Sequence, residues 1–387
     1  MSPILDIITS GRLPIKSWCE APEPGCLRQA VDLTSLPFLF RHVALMPDAH
    51  QGYGMPIGGV IAALGRVIPN AVGVDIGCGV VAARTDLPAA ELPPEKLKRI
   101  VSDIRRTVPT GFDHHPGKCP VSRMPGPHGD LPPVSAREFG SARTQLSTLG
   151  GGNHFIEIQR DPEGMVWLMI HSGSRNLGKQ VADHYNRAAA ERGSSQAPAD
   201  LASLPLDSRE GADYMREMDY CLAFAKANRA GIMDAVEEAL ISAAPGTRFL
   251  DRIDIHHNYA ALETHFGREV LVHRKGATAA RRGQTGIVPG SQGSVSYIVE
   301  GLGEPESFMS CSHGAGRRMG RKEAVRSLDL KEEILRLDEK GVLHRMRSRA
   351  DLDEAASAYK DIEAVMSAQS DLARPVIRLE PLAVIKG

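Results

Sequence analysis

The chain has 387 residues, 42% of them hydrophobic and 24% charged, which is the composition of a globular protein able to bury a sizeable core. Its formal net charge of −1 excludes a global basic field, so any nucleic-acid binding must rest on a local patch. No apolar run approaches the roughly 20 residues that span a bilayer, and the amino-terminal segment lacks the pattern of a signal peptide.

The six cysteines indicate a reducing compartment. They lie at positions 19, 26, 78, 119, 221 and 311, and no two of them form a CxxC pair. Scattered cysteines in a long chain are typical of free thiols and not of a disulfide framework. We therefore expect a cytoplasmic protein.

The chain up to about residue 90 is predicted to form strands separated by glycine-bearing turns. A helix is predicted at Pro94–Val108, where Leu97, Ile100 and Ile104 recur at helical spacing opposite basic residues. The segment Gly111–Pro133 is rich in proline, glycine and histidine and is predicted to be a loop. The strands predicted before the helix are Val43–Met46, Ile57–Leu64 and Val80–Arg84.

The rest of the chain mixes strands and helices without a repeated order or a fixed period. The strands predicted here are Phe155–Gln159, Met165–Ile170, Glu269–His273, Val295–Glu300, Phe308–Cys311 and Pro375–Ile385. The predicted helices are Asn176–Arg192, Asp213–Ala243, Arg317–Arg326 and Asp353–Ser370. No linker divides the chain, so we expect one large α+β domain over residues 1–387, with mixed β-sheets and surrounding helices.

A carboxylate and a thiol lie three residues apart in the glycine-rich segment Val72–Gly79. Asp75 and Cys78 in such a turn can face one cation, because glycine lets the backbone come close. For an isolated Asp-x-x-Cys pair, however, a tight turn around a buried, inert cysteine is the commoner explanation.

Three histidine-bearing segments strengthen the alternative of a shared metal site. His154, His171 and the pair His256–His257 lie at or near the ends of strand-like runs, where a scaffold presents ligands to a cleft. A single histidine of this kind would be read as structural, but three of them with Asp75 and Cys78 leave the two explanations evenly balanced. Such a donor set suits Mn, Zn, Co or Fe, whereas Mg would avoid the sulfur.

Two later segments have the composition of phosphate-binding loops. Gly286–Ser296 offers backbone N–H groups and serine hydroxyls, but it lacks the Lys-Ser/Thr end of a Walker A motif, and a plain β-turn is commoner. The next segment places His313 before a predicted helix, with Arg317 and Arg318 as candidate phosphate contacts. His313 could be a base, a ligand or a nucleophile, or a turn histidine exposed to water.

Nine segments resemble the RtcB-type RNA ligases in the family's order, from about residue 10 to the last residue. They read MPDAHQGYGMPIGGVIA, AVGVDIGCGV, LGGGNHFIEI, IHSGSRNLG, HHNYA, RKGA, GIVPGSQGS, SCSHGAGR and VIKG. On these motifs the chain is identified as a member of that family, and an RtcB-like fold is expected.

The resemblance implies a metal site joined to a guanosine nucleotide site. The implied manganese ligands are Asp75, Cys78, His154, His171 and His257, with Cys78 bridging two Mn²⁺ ions. His257 is preferred to His256 because the family's ligand directly precedes an asparagine. His313 corresponds to the nucleophile that accepts GMP from GTP, and Lys386 corresponds to a contact with the guanine base. The other implied nucleotide contacts are Asn153, His154, Phe155, Ile156, Glu157, His257, Asn258, Pro289, Gly290, Ser291, Gln292, Ser296, Gly314, Ala315 and Gly316.

The implied activity is GTP-dependent joining of RNA 3′-phosphate or 2′,3′-cyclic phosphate ends to 5′-hydroxyl ends, in tRNA splicing or RNA repair. GMP would pass from His313 to the RNA 3′-phosphate, and the 5′-hydroxyl of a second end would attack the resulting RNA–pp–G end. A phosphate monoester lacks a good leaving group, and guanylylation supplies one. The implied partners are RNA and GTP, and the need for an activating protein partner is left open.

Three other functions would use part or all of this residue set. A dinuclear metallohydrolase acting on phosphoesters would need the metal ligands but neither His313 nor Lys386. A non-catalytic RNA-binding paralogue would be expected to have lost a ligand or the nucleophile, and none is lost. A ligase paralogue dedicated to repairing cleaved RNA would share the whole site and differ in its substrate.

Two regions depart from the family's pattern. Gln292 stands where many members carry methionine, which could alter the packing beside the nucleotide without removing a donor. Residues Gly111–Arg143 match the family poorly and carry His114 and His115. Their loop setting predicts surface exposure of both histidines rather than metal binding.

Overall fold

The computed structural model describes residues 4–126, 129–192 and 198–387. The helices in these ranges are α1 (Pro24–Thr34), α2 (Pro94–Thr107), α3 (Pro133–Gln145), α4 (Arg175–Arg192), α5 (Arg209–Ala243), α6 (Arg321–Ser327), α7 (Leu330–Glu339) and α8 (Ile362–Ala368). The strands in the same ranges are β1 (Asp6–Ile8), β2 (Ile15–Ser17), β3 (Leu39–Tyr53), β4 (Met55–Ala63), β5 (Arg66–Val67), β6 (Gly79–Pro88), β7 (Phe155–Arg160), β8 (Met165–Ser172), β9 (Leu204–Pro205), β10 (Phe249–His256), β11 (Asn258–His265), β12 (Arg268–Lys275), β13 (Ala277–Ala279), β14 (Thr285–Val288), β15 (Ser296–Gly301), β16 (Ser310–Ser312) and β17 (Ala373–Lys386). Among the described residues, every helix is too short or too polar to cross a lipid bilayer.

Two large sheets form the centre of the fold. One has six strands in the order β1-β2-β3-β4-β12-β11, and the other has seven in the order β10-β6-β8-β7-β17-β15-β14. Strands β2 and β3 are parallel, whereas the other neighbouring strands in the two sheets pair antiparallel. Helices lie around the sheets without alternating regularly with strands. The predicted α+β class, with mixed sheets and surrounding helices, is confirmed.

The chain passes from one sheet to the other at two places that matter for the site. Strand β4 belongs to the six-stranded sheet and β6 to the seven-stranded sheet, so the segment between them crosses the junction. The tight turn between β10 and β11 does the same in the opposite direction. Asp75 and Cys78 lie in the first crossing, and His257 lies in the second.

Alternation along β8 explains how a core strand presents a functional side chain. Leu168 and Ile170 pack in one core with residues of α2 and α5, whereas Trp167 and Met169 pack on the opposite face. His171 follows Met169 by two residues, so the pleat of the strand turns its ring to that same opposite face.

Most predicted elements are confirmed, with ends shifted by a few residues. Strands β3, β4 and β6 cover the three strands predicted before residue 90, and α2 matches the predicted helix Pro94–Val108. Helices α4 and α5 cover the next two predicted helices, and β7, β8, β12, β15 and β17 cover five later predicted strands. The segment predicted as a loop contains a 3₁₀ turn at Val121–Arg123 and ends where α3 begins.

The predicted helix Arg317–Arg326 is wrong in its first half, because α6 begins only at Arg321. The backbone of Arg317 forms a β-bridge with Tyr359, and the N–H of Arg318 donates to the carbonyl of Ala358. These contacts hold the segment after His313 in an extended form. His313 is therefore not at the start of a helix.

The predicted helix Asp353–Ser370 is also wrong over much of its length. It is divided into the end of a 3₁₀ turn at Arg349–Glu354, a second 3₁₀ turn at Ala356–Ala358 and the short helix α8. Asp361 starts α8 anew by accepting a hydrogen bond from the N–H of Glu363. The strand predicted at Phe308–Cys311 begins late, at Ser310, because Phe308 and the next residue adopt positive φ angles of 52° and 50°.

Candidate functional site

Five side chains from four separated segments meet where the two sheets join. Asp75 and Cys78 precede β6, His154 precedes β7, His171 lies in β8, and His257 lies between β10 and β11. Strands β10, β6, β8 and β7 are consecutive in the seven-stranded sheet, which brings the four segments side by side. These are the five residues predicted as metal ligands, and the structure places all of them in one cluster, called here the ligand cluster.

The donor atoms of the ligand cluster are close enough to share cations. Cys78 Sγ lies 3.4 Å from His154 Nε2 and 3.2 Å from His171 Nε2. His171 Nε2 lies 3.3 Å from His257 Nε2, and His154 Nε2 lies 3.0 Å from Asp75 Oδ2. Two sets of donors, Cys78–His171–His257 and Asp75–Cys78–His154, each have their ligand atoms within 4.8 Å of one another. Because Cys78 belongs to both sets, the donors fit two metal ions that share one sulfur.

The turn that carries Asp75 and Cys78 depends on its glycines and on neighbouring polar groups. Gly73 and Gly77 have φ angles of 97° and 75°, which are strained for residues with a Cβ atom. The carbonyl of Asp75 accepts hydrogen bonds from the N–H of Cys78 at 3.1 Å and from Asn258 Nδ2 at 3.0 Å. Asn258 therefore contributes to the site by holding the turn.

Contacts behind the rings favour metal binding through Nε2. His154 Nδ1 lies 2.9 Å from the carbonyl of Leu149, which fixes the proton on Nδ1 and leaves the Nε2 lone pair facing Cys78. His257 Nδ1 is buried and has no hydrogen-bond partner among the described residues. His256, the rejected neighbour, directs its Nδ1 to the carbonyl of Gly77 at 3.0 Å and lies outside the cluster.

Burial sets the protonation states of the cluster. It lowers the pKa of His171 and of His257 well below the usual value, and nearby cationic groups lower them further, so both rings are neutral, as metal ligands must be. Burial also raises the pKa of the Cys78 thiol well above its usual value, and the Asp75 carboxylate adds to this. Only a bound cation would offset these effects and stabilise the thiolate.

Arg229 ties three of the ligand-bearing segments together. Its side chain is fully buried in α5, and its Nη1 donates to the carbonyls of Gly77 at 3.0 Å and Ser172 at 3.1 Å. These carbonyls belong to the residues beside Cys78 and His171. On the other side, its Nε donates to Asp254 Oδ1 at 2.9 Å, in the strand that leads to His257. The sequence carried no signal for this contact, which joins residues far apart in the chain.

His313 lies against the ligand cluster and is held by a carboxylate from the six-stranded sheet. His313 Nδ1 lies 2.7 Å from Asp48 Oδ2, and the His313 N–H donates to the same oxygen at 3.1 Å. The ring centroids of His313 and His257 are 4.8 Å apart. Burial is the largest single effect and would raise the pKa of Asp48, but the interactions with His313, His50 and Lys360 together outweigh it and the pKa is lowered, so Asp48 is a carboxylate. Sequence reasoning assigned no role to Asp48, although it lies in the first family motif.

A cavity opens beside His313 and is called here the nucleotide cavity. Its walls include the side chain of His171 and many of the residues predicted to contact a nucleotide. Those predicted residues are Asn153, Phe155, Glu157, Pro289, Gly290, Ser291, Gln292, His313, Gly314, Ala315, Gly316 and Lys386. Ile156 is not among them, because strand alternation turns it into the core on the other face of β7.

A buried carboxylate at the far wall organises the basic groups of the nucleotide cavity. Glu354 Oε1 lies 2.7 Å from Arg321 Nε and 3.2 Å from Arg317 Nη1, and Glu354 also accepts from the hydroxyl of Tyr359. Lys386 Nζ lies 3.9 Å from Glu354 Oε2. Arg317 was a candidate phosphate contact and does line the cavity, but Arg321, Glu354 and Tyr359 were missed by sequence reasoning.

Arg318, the other candidate phosphate contact, is not among the lining residues, and its Nε donates to the carbonyl of Ser357.

Across the cavity, burial raises the pKa of Glu157 to about 7, although Gln159 Nε2 donates to its carboxyl group at 2.6 Å. Glu157 therefore lies near the point where it can either donate or accept a hydrogen bond at neutral pH.

The loop predicted to cradle phosphate has part of its hydrogen-bonding capacity engaged within itself. The N–H of Gly290 donates to Ser296 Oγ at 3.1 Å, and the N–H of Ser291 donates to Ser294 Oγ at 2.6 Å. The carbonyl of Pro289 accepts from the N–H of Ala315, which joins this loop to the segment of His313. Ser296 and these contacts therefore shape the wall of the cavity from behind.

Other predicted features lie near or away from this site. Gln292 Nε2 donates to the carbonyl of Glu354 at 2.8 Å, so its amide bonds to the backbone of the cavity wall. His114 is exposed, as predicted. His115 is only partly exposed, because its Nε2 contacts the carbonyl of Ser147 at 3.2 Å, which corrects the prediction of surface exposure. Neither histidine belongs to the ligand cluster.

Comparisons with known proteins agree on one family over nearly the whole chain. The family described as "tRNA-splicing ligase RtcB" matches residues 29–128 and 125–387. The chain is 39% identical to the protein named "RNA-splicing ligase RtcB1" of Escherichia coli strain ATCC 25922, with 99% of each chain covered. It is 38% identical to "RNA-splicing ligase RtcB" of Escherichia coli K12, again over 99% of each chain. It is 34% identical to "tRNA-splicing ligase RtcB" of Thermococcus kodakarensis, over 93% of this chain and 91% of the relative.

Replacing Arg229 should weaken metal binding. We expect Arg229→Met to reduce Mn²⁺ affinity about 10- to 100-fold, because the carbonyls beside Cys78 and His171 lose their common donor. Titration calorimetry on the folded, metal-free protein measures this change. Arg274→Met is the matched control, since Arg274 is equally buried and paired with Glu263, and its other hydrogen bonds reach Ser310, Tyr259 and Phe308 instead of the residues beside Cys78 and His171. An equal loss of affinity in the control would show that Arg229 acts through general stability.

Proposed function

The chain belongs to the tRNA-splicing ligase RtcB family, and from this premise we propose that it is a GTP-dependent RNA ligase. It would join RNA 3′-phosphate or 2′,3′-cyclic phosphate ends to 5′-hydroxyl ends, in tRNA splicing or RNA repair. The proposal treats residues 1–387 as one catalytic domain. The observation that carries it is the Asp48–His313 pair, which lies against the ligand cluster and opens onto the nucleotide cavity.

The contact with Asp48 makes His313 suitable as a nucleophile. Asp48 Oδ2 lies 2.7 Å from Nδ1 without hydrogen-bond geometry, and its negative charge favours a proton on that nitrogen, which would leave Nε2 with its lone pair. Nε2 would attack the α-phosphorus of GTP, forming a P–N bond to the histidine while the bond to the β-phosphate oxygen breaks and pyrophosphate leaves. Asp48 would stabilise the positive charge that the ring acquires, in the way a carboxylate orients and stabilises a catalytic histidine.

The ligand cluster would hold two Mn²⁺ ions, with Asp75, Cys78 and His154 around one and Cys78, His171 and His257 around the other. The sulfur argues against Mg²⁺, and two bound cations would neutralise charge on the phosphate oxygens during transfer. The short distance between the rings of His257 and His313 supports phosphoryl chemistry at their boundary.

The nucleotide cavity would take the guanosine part of GTP. Lys386 and Glu157 supply a cation and a carboxyl group for the polar edges of a base, and Phe155 supplies an apolar face. The GMP unit would then pass to an RNA 3′-phosphate, and a 5′-hydroxyl would displace it to close the strand. RNA and GTP are thus the proposed partners, and an activating protein partner is left open.

The alternative functions use less of the site. A dinuclear metallohydrolase would account for the ligand cluster but not for the buried Asp48 that holds His313 or for the cavity closed by Lys386. A non-catalytic RNA-binding protein would account for neither. We therefore favour the ligase.

Incubation with labelled GTP and Mn²⁺ should yield a covalent protein–GMP adduct that is stable to alkali and labile to acid, the behaviour of a phosphoramidate. His313→Ala should abolish the adduct, whereas the exposed His114→Ala should retain it. Gel autoradiography with metal content measured in parallel reads the outcome. Absence of the adduct from fully metal-loaded protein, or its persistence in His313→Ala, would contradict the assignment.

Asp48→Asn should slow adduct formation on the order of 10²-fold or more while leaving bound metal unchanged, because an amide no longer stabilises the charged ring. Single-turnover rates with GTP and metal analysis by mass spectrometry test this together. A rate equal to that of the unsubstituted chain would remove Asp48 from the mechanism.

Cys78→Ala should remove metal and adduct formation together, because both donor sets lose their shared ligand. Cys221→Ala is the matched control, since this cysteine is buried in α5 outside the cluster. Full metal content and full activity in Cys78→Ala would exclude the shared sulfur.

A further inference from the structure

A second cavity, of about 400 Å³, borders the nucleotide cavity and shares Gln292, Glu354 and Lys386 with it. Arg105 of α2 lines it from one side. Arg345 and Arg347, in the segment between α7 and the next 3₁₀ turn, line it from another. It is called here the arginine cavity.

The three arginines of this cavity have no internal partner. Among the described residues, none of the guanidinium groups of Arg105, Arg345 and Arg347 makes a hydrogen bond or an ion pair. Arg105 is only partly exposed, and Arg345 is close enough to act on it by charge repulsion. Arg345 and Arg347 are exposed, and none of the three guanidinium groups is committed to a carboxylate in the described residues, so all three are free to bind one external anion.

Two of the acidic groups in the same wall are already engaged. One Asp351 carboxylate oxygen accepts from the N–H groups of Arg347 and Ser348, at 2.9 and 2.8 Å. Glu354 is bonded to the basic groups of the nucleotide cavity. Asp353 is the remaining side-chain carboxyl of the wall, and its pKa is raised by burial and by the charge of Glu354. Asp351 keeps its charge in these backbone contacts, so the three guanidinium groups outnumber the two side-chain carboxylates of the wall, Asp351 and Asp353, that no basic side chain pairs with in the described residues.

Helix α2 extends this positive charge away from the cavity. Its Leu97, Ile100 and Ile104 pack into the core, which turns its polar residues to solvent. The helix carries five basic residues, Lys96, Lys98, Arg99, Arg105 and Arg106, and two acidic ones, Glu95 and Asp103.

A net formal charge of +3 on this one helix contrasts with −1 for the whole chain. Asp103 forms ion pairs with Arg99 and Arg106 only. Lys98 lies seven residues before Arg105, on the same side of the helix and about 10.5 Å away along its axis. Because the whole chain is nearly neutral, any binding of nucleic acid must rest on a local basic patch, and α2 carries such a patch.

We propose that Arg105, Arg345 and Arg347 bind a phosphodiester group of the RNA substrate, and that α2 continues this contact along the strand through Lys98. The proposal rests on the proposed ligase function and adds where its RNA lies. Guanidinium forks suit phosphate oxygens, because two parallel N–H groups can reach one phosphate. A strand bound here would pass the guanosine side of the nucleotide cavity on its way to His313.

RNA binding by a triple variant tests this site. The variant R105Q/R345Q/R347Q is compared with R187Q/R268Q/R282Q, which removes the same charge from exposed arginines that line neither cavity. Fluorescence anisotropy measures the Kd for a labelled single-stranded RNA with a 3′-phosphate, between 50 and 200 mM salt, roughly the range over which phosphate contacts lose affinity. Inorganic phosphate and GTP serve as competitors. Formation of the protein–GMP adduct is also measured on the unsubstituted chain in the absence of RNA. This second measurement tests the proposed ligase function independently of the RNA site.

We expect the first variant to bind RNA on the order of 10-fold more weakly than the control variant. The slope of log K against log salt should become shallower by about 0.7, because the variant loses one single-strand phosphate contact. An unchanged Kd and slope, or equal losses in both variants, would overturn the site. So would displacement of the RNA by inorganic phosphate or GTP at concentrations similar to those of the RNA. A missing adduct in the unsubstituted chain would instead overturn the ligase function.

Discussion

The arrangement of this protein depends on holding five candidate metal-ligand side chains together in a buried place where the thiol of Cys78 and the rings of His171 and His257 cannot easily carry charge. A thiol, a carboxylate and three imidazoles lie within 3.0–3.4 Å of their neighbours, where their lone pairs face each other. Burial keeps the rings of His171 and His257 neutral and opposes the thiolate of Cys78. The rigid edge of the seven-stranded sheet, with Arg229 behind it, imposes this arrangement, and metal binding would relieve it.

The junction between the sheets explains why two kinds of chemistry meet. The ligand cluster comes from the seven-stranded sheet and its crossings, whereas Asp48 comes from β3 of the six-stranded sheet and positions His313 just after β16. Each sheet thus contributes one half of the site, and neither half is complete without the packing of one sheet against the other. The backbone contacts that keep the segment after His313 extended, including its bridge to Tyr359, place Arg317 at the nucleotide cavity instead of in a helix.

Charge is distributed unevenly over a nearly neutral molecule. Around the nucleotide cavity, the single carboxylate of Glu354 is shared by Arg317, Arg321 and Lys386, which neutralises their positive charge only in part. In the neighbouring arginine cavity the guanidinium groups are unpaired, and α2 carries the excess outward. The proposed ligands would use the two cavities differently, because a guanosine unit would be recognised by polar edges and an RNA strand by unneutralised charge.

The sequence alone determined the α+β class and most strands and helices, and its ordered motifs indicated the family and named five candidate metal ligands, because residue type, periodicity and motif order are local properties. It misplaced the helices around Arg317 and after Asp353, where a β-bridge between distant segments overrides helical patterning. It could not assign Arg229, Asp48 or Glu354, whose contacts with Asp254, His313 and Arg321 join residues 25, 265 and 33 positions apart. Nor could it assign Arg105, which meets Arg345 and Arg347 only around a cavity. Only the tertiary structure decided that Asp75 and Cys78 lie in a ligand cluster and not in an inert turn, because only the sheet brings three histidine rings to the same sulfur and carboxylate.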